Sequence, residues 1–392
     1  MANPSEKNSP QRRKPPKLER WEAVTVALLG AVFFAAICSS VLPHARTHDF
    51  LGFYTGGLLA KTDPAHLYDA ELQSKIQHQL APEIPVFTPW PRPAFYSLFF
   101  IPLSFMSLKT AFAVWIGLGI ATAFAIWYWA FRQFGPEALV YCALFVPLGF
   151  GIAHGQDIAF VSGLCVLAYS AAKSGRKVLC GVLLALLLGK YHLFLLMPVV
   201  LLARREWRIL AGYVPSALAA IGVSLAMSSP QSYVALLTNP TLAALNPSPE
   251  MMINIHAIAN NLSLDLPIVN ILLALGIVAA VLLIPHDAPL DRWFWAAVCG
   301  GLLISPHTFE YDAALLLIPI LTLLTNSTAA PPIRWIAATA VIPLPYFMTL
   351  LPKPLSAGPA ILISLLFFAI AWPDWFDSRI PSAVGASKEV VV

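Results

Sequence analysis

The chain has 392 residues, 58% of them hydrophobic and only 11% charged, with a formal net charge of +4. A mean hydropathy of +0.73 excludes a soluble globular enzyme and points to an all-α polytopic membrane protein. The basic residues are scattered between apolar runs, with no basic patch interleaved with stacking aromatics, which excludes nucleic acid as a partner.

Residues 1–20 form a basic tail carrying Lys7, Arg12, Arg13, Lys14, Lys17 and Arg20. The run that follows, 21–43, is too long for a cleavable signal and reads as a retained first helix with its N-terminus in the cytoplasm. Further helices are expected near 110–131, 136–151, 158–173, 178–189, 192–203, 208–227, 266–284, 293–304, 311–325, 333–350 and 357–372. The total is about twelve transmembrane helices within an integral domain spanning 21–372, several of them shorter than the roughly 20 residues a full crossing needs. The tail 373–392 reads as cytoplasmic. Cys38, Cys142, Cys165, Cys180 and Cys299 all lie inside apolar runs without Cys-x-x-Cys spacing, so they read as small core residues.

The side of each loop depends on the apolar stretch 94–108. If it dips into the membrane without crossing, Arg46, Lys61, Lys75, Arg92, Lys109, Lys190 and Lys353 face outward and the other seventeen of the 24 basic residues face the cytoplasm. If it crosses, the dense clusters Arg176-Lys177 and Arg204-Arg205-Glu206-Trp207-Arg208 become external, against the positive-inside rule. The non-crossing arrangement gives a long first external loop, 44–109, in which 51–60 and 65–80 have helix-like apolar spacing and are expected along the interface. A second external loop covers 228–265.

Four polar elements then share the outer face: His48-Asp49, His154-Gly155-Gln156-Asp157, Gly189-Lys190-Tyr191-His192 and Ser305-Pro306-His307-Thr308-Phe309-Glu310-Tyr311-Asp312. Three of them tip pairs of short apolar runs, so they are expected below the membrane surface around a water-filled hollow, where ionisable groups are costly and mark function. Asp49 suits a general base toward an acceptor hydroxyl, against the plain reading of a helix cap. Lys190 suits the phosphate of a lipid-linked leaving group, against snorkelling to the interface. Arg92, between Pro91 and Pro93, either binds phosphate or holds the loop at the headgroups. His307 and Glu310 are spaced to share a face, although a loop histidine is commonly satisfied by backbone and Glu310 and Asp312 both suit caps. Gln156 suits sugar hydroxyls, while Asp157 reads first as the cap of 158–173. His48 and Tyr191 are counted with the pocket as neighbours of Asp49 and Lys190. No metal-ligand spacing and no Gly-rich nucleotide loop is present, so neither a metal nor another cofactor is called for.

In this order and spacing the residues resemble glycosyltransferase family 87, the polyprenol-phosphate-mannose-dependent mannosyltransferase-like membrane proteins of the GT-C class. The likeness rests on Asp49-Phe50 with Tyr54 and Gly57-Leu58-Leu59, on Asp63-Pro64 to Leu67-Tyr68-Asp69, on Pro89 to Pro93 leading to Ile101-Pro102-Leu103, and on Trp115. It continues through Gly155-Gln156, Gly181 to Lys190, Arg204-Arg205-Glu206-Trp207 and Leu303-Ile304-Ser305-Pro306-His307. Two departures stand out: Trp90-Pro91-Arg92-Pro93 where the family often has Tyr-Pro-Pro, and Asp157 where it has Asn after the Gln.

The resemblance implies a GT-C-type fold, Asp49 as the catalytic acid residue of the first external loop, and Gln156, Lys190 and His307 in the pocket. It also implies a membrane hexosyltransferase that takes mannose or another hexose from a polyprenyl-phosphate donor. The sugar passes, with inversion, to a hydroxyl of a glycolipid or glycan acceptor on the extracytoplasmic face of a bacterial plasma membrane. The competing reading is a transporter or flippase for a lipid-linked or amphipathic solute, which predicts polar groups staggered through the membrane and repeated halves.

Overall fold

The computed structural model describes residues 48–239, 249–264 and 266–376, together with Thr25, Leu28 and Val32. The expected basic tail, most of the first apolar run and the C-terminal tail from 377 lie outside the described residues. All the regular structure described is helical. Three helical stretches, Leu108–Phe134, Lys177–Phe194 and Trp207–Met227, are long and apolar enough to cross a membrane, and Pro331–Val341 with Leu344–Leu350, bent by 57°, makes a fourth if it is one broken span. The chain is therefore a membrane protein.

The expected run 51–60 lies within α1 (His48–Thr62). Phe50, Leu51, Phe53, Tyr54, Thr55 and Leu59 are all buried, so it has no one-sided polar face to offer water. Its burial depends on close approach: a Cβ on Gly57 would come within 2.5 Å of the Phe100 carbonyl oxygen. The stretch against it begins with Ala94–Ser97 and continues as a 3-10 turn, Leu98–Phe105, that contains Pro102. Phe100 stacks on Phe53 with centroids 4.9 Å apart.

Helix α2 (Ala70–Leu80) does present one polar face, as its spacing predicts. Asp69 caps it by accepting the Leu72 N–H at 2.9 Å. On its inner face Gln73 receives the Trp90 N–H at 2.8 Å and donates to the Leu67 carbonyl at 2.7 Å. One turn on, Gln77 exchanges two hydrogen bonds with the backbone of Thr88. Two buried amides thus hold the otherwise irregular 88–90 segment in place.

From α3 (Leu108–Phe134) onward the expected runs appear as helices, but many are interrupted. The run 136–151 is two pieces, α4 (Glu137–Leu144) and α5 (Val146–Ala153), with Pro147 in the first turn of the second, where its missing N–H costs nothing. After α6 (Ile158–Lys173), α7 (Lys177–Leu186) tightens into a 3-10 stretch over Leu187–Phe194, in which Lys190 leaves helical geometry altogether, with φ −124° and ψ 47°. Then follow α8 (Leu196–Ala203), α9 (Trp207–Met227), α10 (Pro267–Leu282), α11 (Leu290–Ile304), α12 (Leu317–Thr325), α13 (Pro331–Val341) and α14 (Gly358–Ala371). The expected run 311–325 begins as a 3-10 turn, Glu310–Leu316.

Two cores result. The larger is built by the second half of α3, by α4 to α8 and by α10 to α14 around such residues as Trp127, Phe145, Tyr169, Trp295 and Phe367. The smaller joins α1, the 90–103 segment and the start of α3 through Phe50, Trp90, Phe100 and Trp115. On α9 and α10, Leu218, Leu225, Leu272 and Leu275 are exposed, as lipid-facing positions should be.

Candidate active site

Breaks in the helices bring four charged groups together. Arg92 comes from the proline-flanked loop held by α2, Asp157 from the turn before α6, Lys190 from the broken 187–194 stretch, and Asp312 from the 3-10 turn before α12. Their exposures are 7%, 0%, 3% and 1%. Lys190 Nζ meets Asp312 Oδ1 at 2.5 Å and Asp157 Oδ1 at 3.5 Å. Arg92 Nη2 reaches the same Asp157 oxygen at 3.3 Å, and Arg92 Nη1 donates to the Gly189 carbonyl at 3.4 Å. The Tyr96 hydroxyl donates to the other Asp157 oxygen at 3.1 Å. Two cations and two carboxylates make the group neutral as it stands, which is what low-dielectric surroundings require of buried charge.

Several plain readings fall here. Lys190 does not snorkel, and Arg92 is not out among headgroups; both are buried. Asp157 makes no capping hydrogen bond with its side chain, its carboxylate being committed to Arg92, Lys190 and Tyr96. Asp312 does both jobs, since Oδ1 takes Lys190 while Oδ2 accepts the Phe309 N–H at 2.9 Å. Where a hollow is expected, the charged side chains pair with one another.

The turn at 154–157 is built for this contact. Gly155 has φ +70°, and a Cβ there would stand 2.9 Å from that of Phe50, next to Asp49 in α1. Its carbonyl accepts the indole N–H of Trp115 at 2.9 Å. The turn is thereby locked against both α1 and α3.

Asp49 lies in the first turn of α1, half-buried, and its charge bears on both Glu310 and Tyr311. Tyr311 in turn lies under Lys190, with Nζ 5.2 Å from its ring centre. Glu310 and His307 stand on the connection before these residues, outside the spanning helices. Burial, with the charges of Asp312 and Asp49 adding to it, holds the Glu310 carboxyl above its ordinary range. Burial likewise pushes His307 down to about 4, with Lys190 and Arg92 contributing to the fall. His307 is consequently a neutral imidazole at neutral pH. Tyr191 follows Lys190 on the broken stretch, and its hydroxyl receives that of Tyr233 at 3.4 Å. His48 opens α1, but its side chain lies outside the described residues, and Gln156 is half-buried in the turn. Among the described residues, no three His, Cys, Asp or Glu come together as a metal site.

The sequence model of glycosyltransferase family 87 matches residues 90–306, more than half of the chain. The chain belongs to glycosyltransferase family 87. This makes it a membrane glycosyltransferase, with a sugar donor, an acceptor and membrane lipids as its partners. The family 87 match takes in Arg92, Tyr96, Asp157 and Lys190, and it stops one residue short of His307. No curated protein and no solved structure matches the chain.

Asp312 and Tyr96 carry more of this site than their sequence context promised. Asp312 had a usable signal: a lysine within a membrane domain needs a carboxylate, and few are within reach.

Proposed function

We propose that the protein transfers a hexose from a polyprenyl-phosphate donor to a hydroxyl of a glycolipid or glycan acceptor on the extracytoplasmic face, with inversion. Asp49 accepts the proton of the acceptor hydroxyl as its oxygen attacks the anomeric carbon. The bond from that carbon to the phosphate oxygen breaks, and its electron pair leaves with polyprenyl phosphate. Arg92 and Lys190 hold the departing phosphate, and neutral His307 offers it a hydrogen bond rather than a charge. Gln156, Asp157, Tyr191, Glu310 and His48 complete the pocket. Glu310, beside Asp49, keeps the surroundings of the base electron-rich and so favours proton uptake there.

The observation carrying this reading is the convergence, in a member of family 87, of Asp49, Tyr311, Lys190 and Arg92 from four separate segments. A donor that enters sideways from the bilayer fits reactive groups set among apolar helices. Family 87 membership also favours transfer over transport. Purified protein is expected to transfer hexose from a short-chain polyprenyl-phosphate hexose and not from a nucleotide-linked hexose. Transfer from the nucleotide sugar alone would overturn the donor assignment.

A further inference from the structure

Beside the ion pairs lie two imidazoles from different elements. His192 follows Lys190 on the broken 187–194 stretch, and His307 follows α11; their ring centroids are 6.3 Å apart and the rings are inclined at 74°. Nε2 of His192 and Nδ1 of His307 are both buried, and neither has a hydrogen-bond partner among the described residues. Oε1 of Gln156, in the turn that carries Asp157, is a third buried polar atom without a partner among the described residues. Buried polar atoms are ordinarily satisfied, so three unsatisfied ones around a candidate site point to a group that arrives with the substrate.

The chemistry of the pair narrows what that group is. A neutral imidazole has one N–H and one bare nitrogen, so two of them offer a donor and an acceptor together. A sugar hydroxyl needs both, whereas phosphate oxygens only accept and are provided for by Arg92, Lys190 and the N–H of His307, which leaves the bare His307 nitrogen to accept from the hydroxyl while His192 donates to it. We propose that His192 and His307 together grip one hydroxyl of the sugar being transferred, and that His192 is a specificity-determining residue which touches the sugar and not the phosphate. This rests on the transfer reading above.

The test uses purified full-length protein and two probes, a short-chain polyprenyl-phosphate mannose as donor and the sugar-free polyprenyl phosphate as inhibitor. His192→Phe keeps the ring contacts with Tyr191 and His307 and removes both nitrogens. It is expected to lower kcat/KM for the sugar donor by about 10- to 100-fold. The inhibition constant of the sugar-free lipid should stay within about twofold, because that ligand has no hydroxyl to lose. Parallel weakening of both ligands would mean a phosphate contact or a structural role, and an unchanged kcat/KM would mean no contact; either overturns the proposal. Should His192→Phe not purify as folded protein, His192→Gln carries the same test, with a smaller loss expected because its amide also donates and accepts. A wild-type protein that transfers no sugar overturns the transfer reading and this one with it, whereas a wild type that transfers normally beside an unaffected variant overturns this one alone.

Discussion

Lys190 and Asp312 are each nearly without exposed surface, and each is the other's nearest opposite charge. Removing one partner leaves a buried uncompensated charge, so Lys190→Met and Asp312→Leu are each expected to destabilise the protein by about 3–5 kcal/mol. The double variant should recover much of that loss in a thermal or denaturant unfolding measurement, while sugar transfer remains lost. A double variant as unstable as either single one would mean that the pair is not a unit. His307 yields a pH prediction of opposite character. Its folded pKa of about 4 lies below the ordinary histidine value, so the folded state binds fewer protons than the unfolded one in acid. Its contribution to stability is complete above about pH 6.5 and drains away as the pH falls through about 4. His307→Gln should flatten the stability curve in that window and leave it unchanged near neutrality. At this scale the sequence marked the cations well but not their partners. Asp157 and Asp312 each follow a turn and precede an apolar run, the ordinary setting of a cap, and only the third dimension shows where their carboxylates are committed.

At the scale of elements, function depends on segments that are not regular helix. The 88–93 loop that delivers Arg92 is held by Gln73 and Gln77, whose side chains replace the missing backbone pairing. Gln73→Leu would strand the Trp90 N–H and the Leu67 carbonyl, both otherwise bonded to it. We expect it to cost about 2–4 kcal/mol of stability and to weaken sugar transfer more than Lys75→Ala on the exposed face of the same helix. Equal effects of the two substitutions would show that the loop is positioned some other way. Helix existence was legible from apolar run length alone, as α3, α6 and α9 show. The breaks were less so, because Pro147 and the departure at Lys190 interrupt runs whose hydropathy stays uniform. The burial of α1 was hidden for a related reason: its glycines and aromatics read as a weakly amphipathic surface helix, whereas the glycines serve to admit Trp90 and Phe100.

For the molecule as a whole, the account needs Asp49, Arg92, Lys190 and His307 on one side of the membrane. The meeting of Arg92 and Lys190 in one ion-paired cluster supports that arrangement. Ser174, exposed at the far end of α6, should then be inaccessible to an impermeant thiol reagent when replaced by cysteine, while a cysteine at position 248 should react from outside. Labelling of Ser174→Cys from outside would break the shared face. The central claim is chemical, however, and is tested most directly by measuring kcat for sugar transfer from a short-chain polyprenyl-phosphate hexose with wild type and Asp49→Asn. Losing the base is expected to lower kcat by about 10²- to 10⁴-fold with KM for the donor little changed; an Asp49→Asn protein that turns over at the wild-type rate would contradict the account.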